Sequence, residues 1–283
     1  MGTSNTYGGP KRGLVPPWAD GPADPPTPEP MPEGDLEQDS SNTDSPENAD
    51  SPLPAAQPPP RPTLKNPRGN FTRFTNSGDT KALGRAVSGY LSSTGGSTGA
   101  VRRMPASTRA AKGVAGFVNA YVSEGPLEAL SRFSLDGYAG RPAIEVLDAV
   151  ADAICPDGGT IDEAIARDAM FEAIADLDAD DLGSFEDLSQ DQLNAFLSDV
   201  IARSIVTKVI NEIGTNSLHG SANDTDFKRA EEILRDYTVG AVNDALGSEF
   251  DAGASLEATE LEAKIDSVFQ NAFEILQVIL EAE

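Results

Sequence analysis

The sequence predicts an all-α protein: a helical-bundle domain preceded by a long, disordered, proline-rich N-terminal tail. Three observations carry that expectation. From Asp79 almost to the C-terminus apolar residues recur every three or four positions, the period of a helix face rather than of a strand. Two capping boxes, Thr160 with Glu163 and Ser189 with Gln192, stand directly before such runs. Seventeen of the 21 prolines fall in residues 1–75, where fixed φ angles and missing amide donors favour extended chain.

The tail divides by composition. Residues 1–22 hold the only tryptophan, Trp18, an apolar cluster with Leu14 and Val15, and a Gly8-Gly9-Pro10 turn. A segment that builds no core has no use for such anchors unless it inserts them into something else, so 1–22 reads as a recognition peptide. Residues 23–75 read as a disordered Pro- and acid-rich spacer that runs, from about residue 61, into a basic transition in which Phe71 and Phe74 are placed to pack on the domain edge. The helical domain is expected over 76–283.

Within that domain each helix carries its own signals. Asp79 or Thr80 caps a helix with Leu83, Val87, Tyr90 and Leu91 on one face, weakened by Gly84 and Gly89 at about 1 kcal/mol each relative to Ala. Ser92 to Gly99 reads as a flexible loop. Pro105 opens a helix bearing Val114, Phe117, Val118 and Tyr121 that stops at Gly125-Pro126, and a short helix follows over 126–134. Pro142 opens the next, with Ile144, Leu147, Ala151 and Ile154 inward, closed by Pro156. The two capping boxes then start helices through Leu177 and from Leu193 to Ile213, the latter ended by Gly214. Asp224 or Thr225 begins a helix with Phe227, Leu234, Tyr237 and Ala241, stopped by Gly247. The last helix, about 256–281, shows one stripe at Leu261, Ile265, Val268, Ala272, Ile275 and Ile279 and a second at Phe269, Phe273, Leu276 and Leu280. Two stripes mean burial on more than one side, central in the bundle or against a partner.

Charge is unevenly spread. Residues 61–112 carry ten bases and one acid, whereas 113–283 carry 35 acids and nine bases. The acidic bulk repels nucleic acid and anionic membrane. The basic segment is the exception: Arg85, Arg102, Arg103, Arg109 and Lys112 form a candidate patch that either binds phosphates or neutralises the chain's own acids or an acidic partner. A single cysteine fits a reducing compartment, and with no apolar run long enough to span a bilayer and no apolar leader, a cytoplasmic location without membrane attachment is expected.

Candidate chemical sites are sparse. Asp176, Asp178, Asp180 and Asp187 have calcium-loop spacing, but Asp181 stands where the loop needs glycine and Gly183 where it needs an apolar residue, so a solvated acidic connection is expected. His219, the only histidine, sits in a polar loop, and Cys155 ends an apolar helix face as a buried thiol. No phosphate loop, dinucleotide fingerprint, nucleophile elbow or zinc-binding helix occurs, so no cofactor, no metal and no enzymatic activity of its own are expected. Gly2 and Thr6 match a short and common acylation pattern; a small residue after Met also favours removal of the initiator and a free glycine amine.

Met1-Gly2-Thr3-Ser4, Tyr7-Gly8-Gly9-Pro10 and Leu14-Val15-Pro16-Pro17-Trp18 resemble the N-terminus of the QatB family, components of the four-gene Qat anti-phage defence systems. Leu83-Gly84-Arg85-Ala86 and Arg102-Arg103-Met104, leading into an acidic helical region, are similar to the same family. The resemblance implies a non-enzymatic partner of an ATPase, a QueC-like enzyme of the QatC type and a TatD-like nuclease. It further implies that Gly2 receives a 7-deazaguanine and that Thr3 to Trp18 form the stretch the QueC-like enzyme grips. Sixteen extended residues span about 50 Å, enough to reach a deep active site. The residues alone leave two other readings open, a nucleic-acid-binding adaptor using 61–112 and a plain structural scaffold.

Overall fold

The computed structural model describes residues 63–156, 158–177, 183–214, 224–249 and 257–282. Those residues form ten α-helices and no strand, the all-α bundle that the periodicity predicts. The helices are α1 (Lys65–Ser77), α2 (Thr80–Thr94), α3 (Gly96–Val101), α4 (Pro105–Glu124), α5 (Pro126–Arg132), α6 (Ala143–Ile154), α7 (Ile161–Ala175), α8 (Gln190–Val209), α9 (Asp224–Glu249) and α10 (Ala258–Ala282). A π-helical turn, Ile210–Gly214, continues α8. The N-terminal peptide 1–22 and most of the spacer lie outside the described residues.

Helix α10 is the axis of the bundle. Both of its apolar stripes are covered: Ile265, Val268 and Ala272 on one, Phe269, Phe273 and Leu276 on the other, all buried. It packs on α9, α4, α2 and α3, which accounts for most of the double stripe; Ile275 and Ile279 at its C-terminal end stay half-buried. Helix α8 is similarly enclosed by α7, α9 and α4. Both capping boxes form as expected, with Thr160 Oγ1 accepting from the Glu163 amide at 3.2 Å and Ser189 Oγ from the Gln192 amide at 3.2 Å.

Three local expectations change. The helices begin at Lys65 rather than Asp79, because Phe71 and Phe74 are fully buried. Burial of two such rings stabilises by about 1.5–3 kcal/mol each, enough to override the proline and glycine of an unpromising helix. The Ser92–Gly99 stretch is not a loop. Gly95 adopts φ +96, a left-handed cap that ends α2 in one residue and lets α3 begin at once. Ser97 then donates to Glu274 at 2.7 Å, and Thr98 lies 3.1 Å from Gln270 of α10, so polar side chains that look loop-like anchor a helix. Gly84, counted above as a weakness, is a contact: a Cβ there would lie 2.3 Å from the Leu280 carbonyl oxygen, so α2 and α10 approach this closely only over glycine.

Candidate functional site

The candidate site lies around the N-terminus of α4, where the basic segment meets α7 and the π turn. Helix α4 starts with Pro105, which needs no amide partner, and Met104 before it offers no capping side chain. The cap comes from another helix: the Ala106 amide donates to Asp162 Oδ2 of α7 at 2.7 Å. Asp162 and Glu163 therefore divide the work, the first closing α4 and the second closing α7 with Thr160.

Behind this cap runs a seam of opposite charges. Arg103 meets both carboxylate oxygens of Glu212 through Nε and Nη2 at 3.0–3.2 Å, a two-pronged ion pair. Lys208 lies 3.5 Å from Glu212 and 3.6 Å from Asp162, joining α8 to both. Arg68 of α1 donates from Nε to the Glu212 carbonyl at 2.9 Å. The π turn is what presents Glu212 to all three cations, since the extra residue in the turn swings it off the regular helical path. Burial works against the Arg103 charge, and the Glu212 hydrogen bonds and charge outweigh it, so its pKa rises. The Tyr90 hydroxyl is buried against this pair without a hydrogen-bond partner of ordinary geometry. Burial and the Glu212 carboxylate push its pKa far above the usual phenol value.

The five predicted basic residues separate into three kinds. Arg103 is structural, locked into the seam. Arg85 reaches Asp79 at 3.4 Å across an exposed surface, and Lys112 holds Asp266 of α10 at 2.7 Å. Arg102 and Arg109 stay exposed and enter no ion pair among the described residues. Arg109 is near enough to Glu163 to add to the hydrogen bonds from Thr160 that hold that carboxyl below its usual range. Arg102, Arg109 and Lys208 line an open cleft of about 540 Å³ together with Pro105 and Ala106. A second cleft of about 480 Å³ adjoins it, sharing Pro105 and Arg109 and reaching Lys112 and Glu262.

The other sequence candidates fall as follows. Gly2, Thr3, Ser4, Tyr7 to Pro10 and Leu14 to Trp18 lie outside the described residues, as does His219. Of the calcium-like spacing, Asp178, Asp180 and Asp181 lie outside them too, while Asp176 is held by Arg203 and by Arg235, the latter at 2.8 Å. Among the described residues no group of three or more acidic, histidine or cysteine side chains is placed to hold a metal. Cys155 is buried beside Met170, Sγ to Sδ 3.4 Å, and burial pushes its thiol up despite the Arg167 and Arg109 charges, which keeps it protonated and inert. Glu212, Lys208, Asp162 and the Tyr90 hydroxyl were not visible as site residues; the only local hint was the i,i+4 spacing of Lys208 and Glu212.

Compared with known families, residues 95–276 match the family model described as Qat anti-phage system associated protein QatB. The chain belongs to the QatB family. The match runs from the start of α3 into the last turns of α10 and so contains Arg103, Asp162, Lys208 and Glu212 of the seam and the lining of both clefts, while Arg68 and Tyr90 lie before it. It makes the chain a component of a Qat anti-phage system, with the other components of that system as its partners. The QatB description names an associated component and no catalytic activity. No curated protein and no solved structure matches the chain. Among the described residues no helix is long and apolar enough to cross a membrane.

Proposed function

We propose that this QatB-family protein is a non-enzymatic, cytoplasmic component of its defence system whose N-terminal peptide is bound, and modified at Gly2, by a QueC-like partner enzyme. The helical domain serves as the docking module for that enzyme and for the system's ATPase and TatD-like nuclease. The observation that carries this reading is the placement of Gly2 directly after Met1, with Leu14, Val15 and Trp18 a short reach behind it, in a chain of the QatB family. An α-amino group ordinarily titrates near 7.7–8.0, so a neutral, nucleophilic fraction exists at physiological pH. In the transfer that lone pair attacks the deazaguanine carbon that the partner has activated with ATP; the new C–N bond forms as the bond to the ATP-derived leaving group breaks, and the amine gives up a proton to solvent.

The test is the intact mass of the full chain purified with and without the co-expressed QueC-like enzyme, followed by fragmentation of the N-terminal peptide. A mass gain confined to Gly2 and present only with the enzyme is expected. An unmodified N-terminus in both samples rejects the modification. Gly2→Pro, or deletion of 2–18, is expected to abolish phage protection while leaving the helical circular dichroism intact; full protection by either variant rejects a role for the tip.

A further inference from the structure

The two adjoining clefts on the first turns of α4 have one imbalance in common. Two of their three carboxylates are already committed, Asp162 to the Ala106 amide and Lys208 and Glu163 to Thr160, while Glu262 is exposed in the second cleft. Of their cations, Arg103, Lys112 and Lys208 hold carboxylates, whereas Arg102 and Arg109 are exposed and enter no ion pair among the described residues, two open cations against one open acid. Elsewhere in the domain Arg132, Arg141, Arg167, Arg203 and Arg235 hold carboxylates, whereas Arg73 and Arg229 are exposed without an ion pair among the described residues; what sets Arg102 and Arg109 apart is that they stand together on one groove. In a chain of net charge -25, exposed arginines left without acids at the rim of a groove mark a place where negative charge is to arrive from outside.

We propose that this groove docks an extended, acidic peptide segment of a partner protein, with Arg102 and Arg109 as its carboxylate anchors. Arginine's planar fork suits that role because it grips a carboxylate through two hydrogen bonds. The lining discriminates between polyanions. Asp162, Glu163 and Glu262 stand along the same groove. They repel a phosphodiester backbone, which carries a charge on every unit. A peptide places its acids opposite the arginines alone and can turn backbone N–H groups to the rim carboxylates. Pro105, Ala106 and Gly113 contribute the small, uncharged part of the lining. This inference concerns the domain and holds whether or not Gly2 is modified.

The experiment uses the full chain and fluorescence anisotropy with three labelled probes: a short peptide alternating Glu and Gly, its Gln/Gly counterpart, and oligothymidylate of matched charge. Binding of the Glu/Gly peptide alone is expected, weakening as salt is raised. Arg102→Glu with Arg109→Glu should reduce that affinity by about tenfold or more, whereas Arg73→Glu, an exposed charge on α1, should leave it nearly unchanged. Helical circular dichroism unchanged in all variants separates lost binding from lost fold. Preferential binding of oligothymidylate overturns the proposal in favour of nucleic acid. Binding of no probe, or equal loss in the Arg73 variant, also overturns it.

Discussion

The seam behind α4 and the outer face of the same helix use the same residue types in opposite ways. Arg103, Lys208, Glu212 and Asp162 turn their charges on one another between three chain segments, with side-chain exposures of 36, 12, 13 and 15%. Arg102 and Arg109, one and six residues from Arg103, turn theirs to solvent. The difference lies in what each neighbour can reach. The π turn brings Glu212 to Arg103, and nothing comparable is brought to Arg102. A charge that meets its partner inside the fold is spent on stability; one that does not is available for binding. The two sets should therefore separate cleanly under substitution, the seam in unfolding and the face in affinity.

The largest effect expected is at the hub. Glu212→Gln keeps the size but leaves Arg103 and the nearly buried Lys208 without their shared carboxylate. Breaking a buried pair costs about 3–5 kcal/mol, and the partial exposure of Arg103 lowers this to about 2 kcal/mol. Denaturant unfolding should show that loss, while Arg102→Gln stays within about 0.5 kcal/mol of the parent. Equal costs at the two sites would erase the distinction between seam and face. Asp162→Ala is the next largest. It strips the cap from α4 and one contact from Lys208, a loss of about 1 kcal/mol typical of helix caps. Asp162→Asn retains an acceptor for the Ala106 amide and should recover most of it; no recovery would mean that the charge, not the cap, is what Asp162 contributes.

Much of the fold was legible because its causes are local. Thr160 with Glu163 and Ser189 with Gln192 act across three residues, and the stripes of α10 repeat within one helix, so position in the chain is position in space. The seam was not legible, because Arg103 and Glu212 are 109 residues apart and no pattern near either names the other. Gly84 shows the same limit: propensity assigns it a cost, and only the packed helix shows that the Leu280 carbonyl needs the room. At α3 and α1 local composition was misleading in the other direction, since Ser97, Thr98, Phe71 and Phe74 earn their structure from contacts with α10 and the core. The basic segment was visible as a cluster, but its division into paired and unpaired arginines followed from tertiary geometry alone.

The smallest effect expected tests the boundary between the two sets. Glu163 stands at the rim of the groove yet belongs to a cap. Hydrogen bonds from the Thr160 side chain and backbone, then the Gly159 amide and the Arg109 charge, hold its carboxyl below the usual range. A carboxylate whose pKa is depressed in the folded state stabilises that state above its unfolded pKa, about 4.3, and the contribution fades as pH falls through the lower folded value. Glu163→Gln should therefore be slightly destabilising at neutral pH and indistinguishable from the parent at the acid end of that window. Adding Arg109→Gln should leave most of the pH dependence in place, because the Thr160 bonds are the larger cause and Arg109 the last. If the pH dependence vanished with Arg109→Gln, that arginine would be paired to Glu163 as firmly as Arg103 is to Glu212. The outer face would then retain Arg102 as its single free anchor.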